Sequence, residues 1–154
     1  MMLSKLQIRE YISGDATQII RLHTQSEESF EELDLTEEFI EYIARRGDFC
    51  FYVATLDGSL IGFCGVLYYP SMGRSEVGPI AVDNRFRRAN VGKELYDSTV
   101  AYLKSHGIRR VTAKVKASNT CAICFFTSLG FAQEGFFREY TRKKEDVLQL
   151  VKFI

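Results

Sequence analysis

The sequence predicts one mixed α/β domain over residues 1–154, and three observations carry that expectation. Short runs that alternate apolar and polar residues are interleaved with segments of helical spacing. Leu60–Tyr69 (LIGFCGVLYY) is continuously apolar, as a strand buried on both faces would be. Ser75–Tyr96 (SEVGPIAVDNRFRRANVGKELY) reads as a strand, a short basic loop and the first turns of a helix.

Taken in order, Leu3–Tyr11 alternates, with Leu6 and Ile8 set against Gln7 and Arg9, and reads as the first strand. Gly14 turns the chain, and Asp15 stands where it can cap a helix containing Ile19, Ile20, Leu22 and His23. Thr36, followed by Glu37 and Glu38, starts a second helix whose apolar face is Phe39, Ile40 and Ile43, with Gly47 as its stop. Phe49–Thr55 is a strand, Asp57-Gly58 a hairpin turn, Leu60–Tyr69 the returning strand and Pro70–Gly73 a loop. Ser75–Val82 is rich in β-formers but interrupted by Gly78-Pro79. A proline cannot donate to the sheet ladder, so this strand should bulge or splay. From Val91 the spacing is helical through Leu95, Thr99 and Leu103, until Gly107. Arg109–Val115 alternates as a strand, Asn119 can cap another helix, and the tail gives two strands around Lys143–Asp146.

A chain of 154 residues buries roughly two-thirds of its unfolded surface. With 46% hydrophobic and 26% charged residues and zero net charge, nothing supports a nucleic-acid partner. The N-terminal apolar run is too short for a signal peptide and no stretch approaches a membrane span, so the cytoplasm is expected, with no membrane partner. Cys50, Cys64, Cys121 and Cys124 then read as reduced core residues. The Cys121-x-x-Cys124 pair lacks a second pair at ligand spacing, so no metal is expected. His23 and His106 are isolated, and read as structural or surface residues.

Two segments point to chemistry. Arg85, Arg87, Arg88 and Lys93 place four cations in nine positions at a helix start. Unpaired amides, the positive end of the helix dipole and these cations together suit an anion, best a pyrophosphate. A solvated basic helix start is the plain alternative. Glu27–Glu41 holds eight acids in fifteen residues without Lys or Arg. It is either a solvated surface or a wall that attracts a cationic amine.

The residues R87-R88-A89-N90-V91-G92 resemble the Q/R-x-x-G-x-G/A loop of the GNAT superfamily of acetyl-CoA-dependent N-acetyltransferases. Asn90 stands where that loop has its first glycine, and asparagine is the side chain that best tolerates a left-handed backbone. N119-T-C-A122-I-C-F125-F126-T-S-L129-G130-F131 resembles the family's N-x-x-A-x-x-x-Y-x-x-x-G-F segment. The tail, E-G-x-x-R-x-Y…E-D-V-L-x-L, is similar to the branch that includes ribosomal-protein N-terminal acetyltransferases. The resemblance covers essentially the whole chain.

It implies a mixed, mostly antiparallel sheet of about seven strands, flanked by about four helices and splayed at the central strand. Acetyl-CoA is the implied cosubstrate. Its pyrophosphate would sit on Arg87, Arg88, Ala89, Asn90, Val91, Gly92 and Lys93, and its pantetheine along Ile80, Ala81 and Val82. Asn119 and Phe126 would lie on the cofactor helix. The acceptor would meet the first helix-loop-helix, at Phe30, Glu31 and Glu32, with Leu33 and Leu35 completing an apolar floor. In the ribosomal branch the base falls on Lys114 here and the acidic tyrosine on Phe126, so that catalytic pair is absent. Glu76, placed where other branches carry a glutamate base, is the candidate base, and Tyr140 the nearest candidate acid. The implied reaction is acetylation of a primary amine, on a small molecule or a peptide α-amino group. Deprotonating a side-chain amine near pH 7 costs roughly 4 kcal/mol and an α-amino group about 1, which makes the second easier. The alternative is a catalytically weak acyl-CoA-binding module acting as sensor or partner subunit. A homodimer is left open.

Overall fold

The computed structural model describes residues 5–30 and 35–154. Its first hairpin forms where the sequence asks for it. Asp57 and Gly58 both take positive φ (50° and 81°), the twist a two-residue turn needs. They join β2 (Phe49–Leu56) to β3 (Ser59–Tyr69). Along β3, Leu60, Ile61, Phe63, Cys64, Val66 and Tyr68 are all buried, as expected of its apolar run. On one side β2 pairs with β1 (Leu6–Glu10), and on the other β3 pairs with β4 (Arg74–Val82).

β4 turns into α3 (Val91–Ser105), which buries Val91, Leu95, Thr99 and Leu103 against the sheet. Each of the aliphatic side chains among these is worth about 1.5–3 kcal/mol when removed from water. This crossover brings β5 (Arg110–Lys116) parallel to β4. The sheet is completed by β6 (Ala132–Phe137) and β7 (Val147–Phe153), in the order β1-β2-β3-β4-β5-β7-β6. Every pairing except β4–β5 is antiparallel.

Two cores form, one on each face. α3 and α4 (Thr120–Ser128) cover the face carrying Cys64, Val66, Val77, Val111 and Ala113. α1 (Ala16–Gln25) and α2 (Glu37–Ala44) cover the face carrying Phe51, Val53, Phe63 and Ala81. Thr36 and Asn119 cap their helices as anticipated, accepting from the amides of Phe39 and Ala122 (both 3.1 Å).

Three local expectations fail. Asp15 occupies the cap position of α1 without capping it, because its oxygens take the Arg9 guanidinium (2.8 and 3.0 Å) and the Ile12 amide (2.9 Å). α2 stops at Ala44, ahead of Gly47; the Arg46–Asp48 pair (2.7 and 2.8 Å) spans that glycine on the way into β2. Cys121 and Cys124 are exposed, not core, because α4 turns Ala122, Phe125 and Phe126 inward and the cysteines lie on the other side. Cys50 and Cys64 are buried, as expected.

Candidate active site

Gly78-Pro79 does to β4 what the sequence requires. Val66 faces Val77 and Cys64 faces Ile80, so Gly78 and Pro79 together oppose Gly65 in a bulge. On its other edge β4 pairs with β5 only through Arg74–Val77. Beyond Val77 and Ala113 the two strands part: β4 stays with β3 to Val82, and β5 stays with β7 to Lys116. The result is a fork in the middle of the sheet. The Asp83 amide donates to the Ile61 carbonyl (2.7 Å). Strand alternation then turns the Ala81 amide toward β3, and the amides of Ile80 and Val82 into the fork.

A cleft of about 1210 Å³ runs through this fork, lined by residues from both faces of the sheet. On the α3 side its wall is the helix start. Arg88 and Asn90 both hold left-handed backbones (φ 67° and 64°), so Asn90 supplies the conformation for which a glycine would otherwise be needed. The first amides of α3, at Val91, Gly92 and Lys93, have no acceptor one turn back and face the cleft. Gly92 is fixed by close approach: a Cβ there would meet the Phe125 ring at 3.1 and 3.3 Å. Phe125 is a packing partner that motif reading did not single out. Between Arg87 and Lys93, Ala89 alone is turned away from the cleft into the core.

The loop's cations divide their work. Arg85 is engaged with buried Asp83 through its guanidinium (3.1 Å) and its amide (3.0 Å), and Asp83 also accepts from Arg21 of α1 (3.4 Å). The Arg85 side chain, more than any other contact, holds the Asp83 carboxyl down at about 2. Arg87 bonds the Val82 carbonyl (3.3 Å) and Ser26 Oγ (3.1 Å), fixing it across the cleft mouth. Lys93 pairs with Asp97 (2.8 Å), and Arg88 is exposed beside the free amides.

At the fork itself, Glu76 of β4 forms an ion pair with Lys114 of β5. The lysine that takes the base position of the ribosomal branch thus holds the only carboxylate of β4. Tyr140 lines the same cleft, but it follows β6 in a loop instead of lying on a strand. Its amide donates to the Glu145 carbonyl (2.9 Å) after Glu139 has turned the chain at φ 50°. Phe126 is buried against Phe125 and Phe131 where a tyrosine hydroxyl would be expected, and Asn119 lines the cleft while capping α4. Lys116 bridges the Glu28 carbonyl (2.8 Å) and Glu145 (3.1 Å), tying the segment after α1 to the β6–β7 loop.

On the α1 side, Phe30 lines the cleft and stacks on His23 (4.4 Å). His23 is buried, which lowers its pKa, and it too lines the cleft. Glu31 and Glu32, with Leu33, lie outside the described residues. Of the acidic run that is described, none of the carboxylates lines the cleft; Phe30, Leu35, Phe39 and Ile40 do. Among the described residues no group of His, Cys, Asp and Glu could hold a metal ion, and no helix is long and apolar enough to cross a membrane.

A forked sheet with an amide-rich helix start at one mouth of the cleft is an arrangement suited to an anionic ligand. Residues 16–131 match the Acetyltransferase (GNAT) family, and the chain belongs to it. It is 27% identical over 152 residues to an N-alpha-acetyltransferase of Sulfurisphaera tokodaii, covering 91% of this chain and 88% of that one. It is 33% identical over 72 residues to the ribosomal protein bS18-alanine N-acetyltransferase of Escherichia coli, covering 45% of this chain and 49% of that one. The crystal structure of Ard1 from Thermoplasma volcanium superposes with a TM-score of 0.86 at 26% identity, covering 97% and 98% of the two chains. The chain spans only 32% to 64% of the length of several other curated relatives.

Proposed function

We propose that residues 1–154 form a single catalytic domain that transfers the acetyl group of acetyl-CoA to the α-amino group of a polypeptide. The observation that carries this is the fork: one cleft passes from the helix start on one face of the sheet to an acceptor chamber on the other. The left-handed Arg88 and Asn90 and the first amides of α3 fit a pyrophosphate, with Arg87, Arg88 and Lys93 supplying charge. The pantetheine lies along Ile80–Val82, where β4 keeps β3 on one edge but has no partner strand on the β5 side.

The chemistry follows from what projects into the fork. Glu76, held by Lys114, takes a proton from the incoming ammonium directly or through one water. The freed lone pair attacks the thioester carbon. As its oxygen gains charge, the Ile80 amide stabilises it, and the carbon–sulfur bond then breaks. The nitrogen then gives up its second proton to water, the departing thiolate takes one up, and with Phe126 unable to supply it Tyr140, which lines the cleft, is the proposed donor. The names of the Sulfurisphaera and Escherichia relatives favour a protein N-terminus over a small amine.

Phe126 also favours a second reading, a module that binds acyl-CoA without turning it over. Release of free thiol from acetyl-CoA, measured across N-terminal peptides and small amines, separates the two. Turnover on peptides is expected. Tight acetyl-CoA binding with no thiol release on any amine would leave the binding module standing.

A further inference from the structure

On the α1–α2 side the cleft does not end at Glu76. It continues over a floor formed by Phe30, Leu35, Phe39, Ile40, Ile43 and Phe49. These six side chains come from α2, β2 and the segments flanking residues 31–34. Phe39 is 38% exposed and Ile40 only 2%, so the floor is open above and sealed below.

Sheet register ties this floor to the reacting position. Phe49 stands opposite Leu67, and Leu67 opposite Glu76, so the three occupy one row and face the same side. Two strand spacings separate Phe49 from Glu76, about 10 Å between backbones. A glycine in the neighbouring row, opposite Phe51, makes room for the Phe49 ring. At Gly65 a Cβ would meet the Phe49 ring at 2.8 Å and the Phe51 ring at 3.1 Å, so both rings lie down over β3 only because Gly65 has no side chain.

Among the described residues, the charged groups lining the cleft sit elsewhere. Glu76, Lys114 and Lys116 stand at the fork, and Arg87, Arg88 and Lys93 at the helix start. The His23 ring, stacked under Phe30, has its pKa lowered by burial, which favours its neutral form. An amine delivered to Glu76 therefore carries its nearest substituent over a surface that offers hydrophobic contact and no ion partner among the described residues.

Resting on the N-terminal acetylation reading, we propose that the floor selects the first residue of the acceptor. It receives a large apolar side chain, such as Met, Leu, Ile or Phe, on the carbon that bears the amine. A small or acidic first residue leaves the floor wetted and forfeits that contact. A few buried methylenes correspond to a preference of roughly 10- to 100-fold in kcat/KM.

The test uses peptides identical after residue 1, beginning with Leu, Met, Phe, Gly, Ser or Asp, and follows thiol release. The large apolar residues are expected to lead by that margin. In Ile43→Ser the Leu-to-Ser ratio of kcat/KM should fall about tenfold, while calorimetry with acetyl-CoA reports that the variant is folded. Gly- or Ser-first peptides that match or exceed Leu overturn the proposal and leave N-terminal acetylation intact. So does a preference that follows the length of the acyl chain on CoA instead of residue 1. No turnover of any peptide by a protein that binds acetyl-CoA removes the functional reading, and this selectivity with it.

Discussion

The two mouths of the cleft are built by different means. The α3 mouth is backbone: left-handed Arg88 and Asn90, the amides of Val91–Lys93, and a glycine pressed against Phe125. The α1–α2 mouth is side chain: a floor of rings and aliphatic groups gathered from segments far apart in sequence. A carrier that is the same in every turnover can be met by fixed amides. On the proposed reading, an acceptor that differs between enzymes of one family would be met by replaceable side chains. The two mouths should therefore respond separately to substitution.

The largest effect is expected at the backbone mouth. Gly92→Asp puts a Cβ into the Phe125 ring and a carboxylate where the pyrophosphate is proposed to sit, and calorimetry should find no measurable acetyl-CoA binding. Unchanged affinity would move the carrier out of this loop. Next comes Glu76→Gln, which keeps shape but cannot accept a proton. It should lower kcat by roughly 10²–10³ at neutral pH while leaving acetyl-CoA affinity near wild type. The deficit should shrink as pH rises and the amine deprotonates unaided. A change below about threefold from pH 6.5 to 9 would remove Glu76 from the reaction.

The smallest effect sits at the join. Asp83 holds Arg21 of α1 on one side and Arg85 of the basic loop on the other. Its pKa in the fold is about 2, against an ordinary 3.8, so the fold favours the ionised form. That stabilisation is present above about pH 4 and disappears as pH falls toward 2. Asp83→Asn should cost about 2 kcal/mol in urea unfolding at neutral pH, with the gap to wild type closing over that interval. If acceptor KM also moves more than tenfold, the two mouths are not independent.

The same contrast explains which parts of the site were legible in the sequence. The bulge at Gly78-Pro79, the left-handed Asn90 and the caps at Thr36 and Asn119 depend on a residue and its immediate neighbours, so local chemistry reveals them. Gly65 gave no such signal. Within an apolar run it is one more small residue, until register lays Phe49 and Phe51 across it. Lys114 was visible as the wrong residue for a base, but its pairing with Glu76 requires knowing that β4 and β5 lie side by side. The two tail strands expected around Lys143–Asp146 would carry Tyr140 on a strand, whereas β6 stops at Phe137 and the chain turns at Glu139, which no local signal in the sequence marks.

The fork also has a meaning for how the chain closes on itself. The β2–β3 hairpin is closed by a two-residue turn, but the contacts between β4 and β5 join residues 35 to 37 positions apart. Loop entropy grows with the logarithm of length, which makes the β4–β5 closure about 2–3 kcal/mol more expensive than the hairpin. Only Arg74–Val77 and Arg110–Ala113 repay it across the sheet. Two antiparallel blocks, β1 to β4 and β5 to β6, are thus stitched by four residue pairs next to an opening that interrupts them. The cleft therefore opens beside the shortest ladder of the sheet.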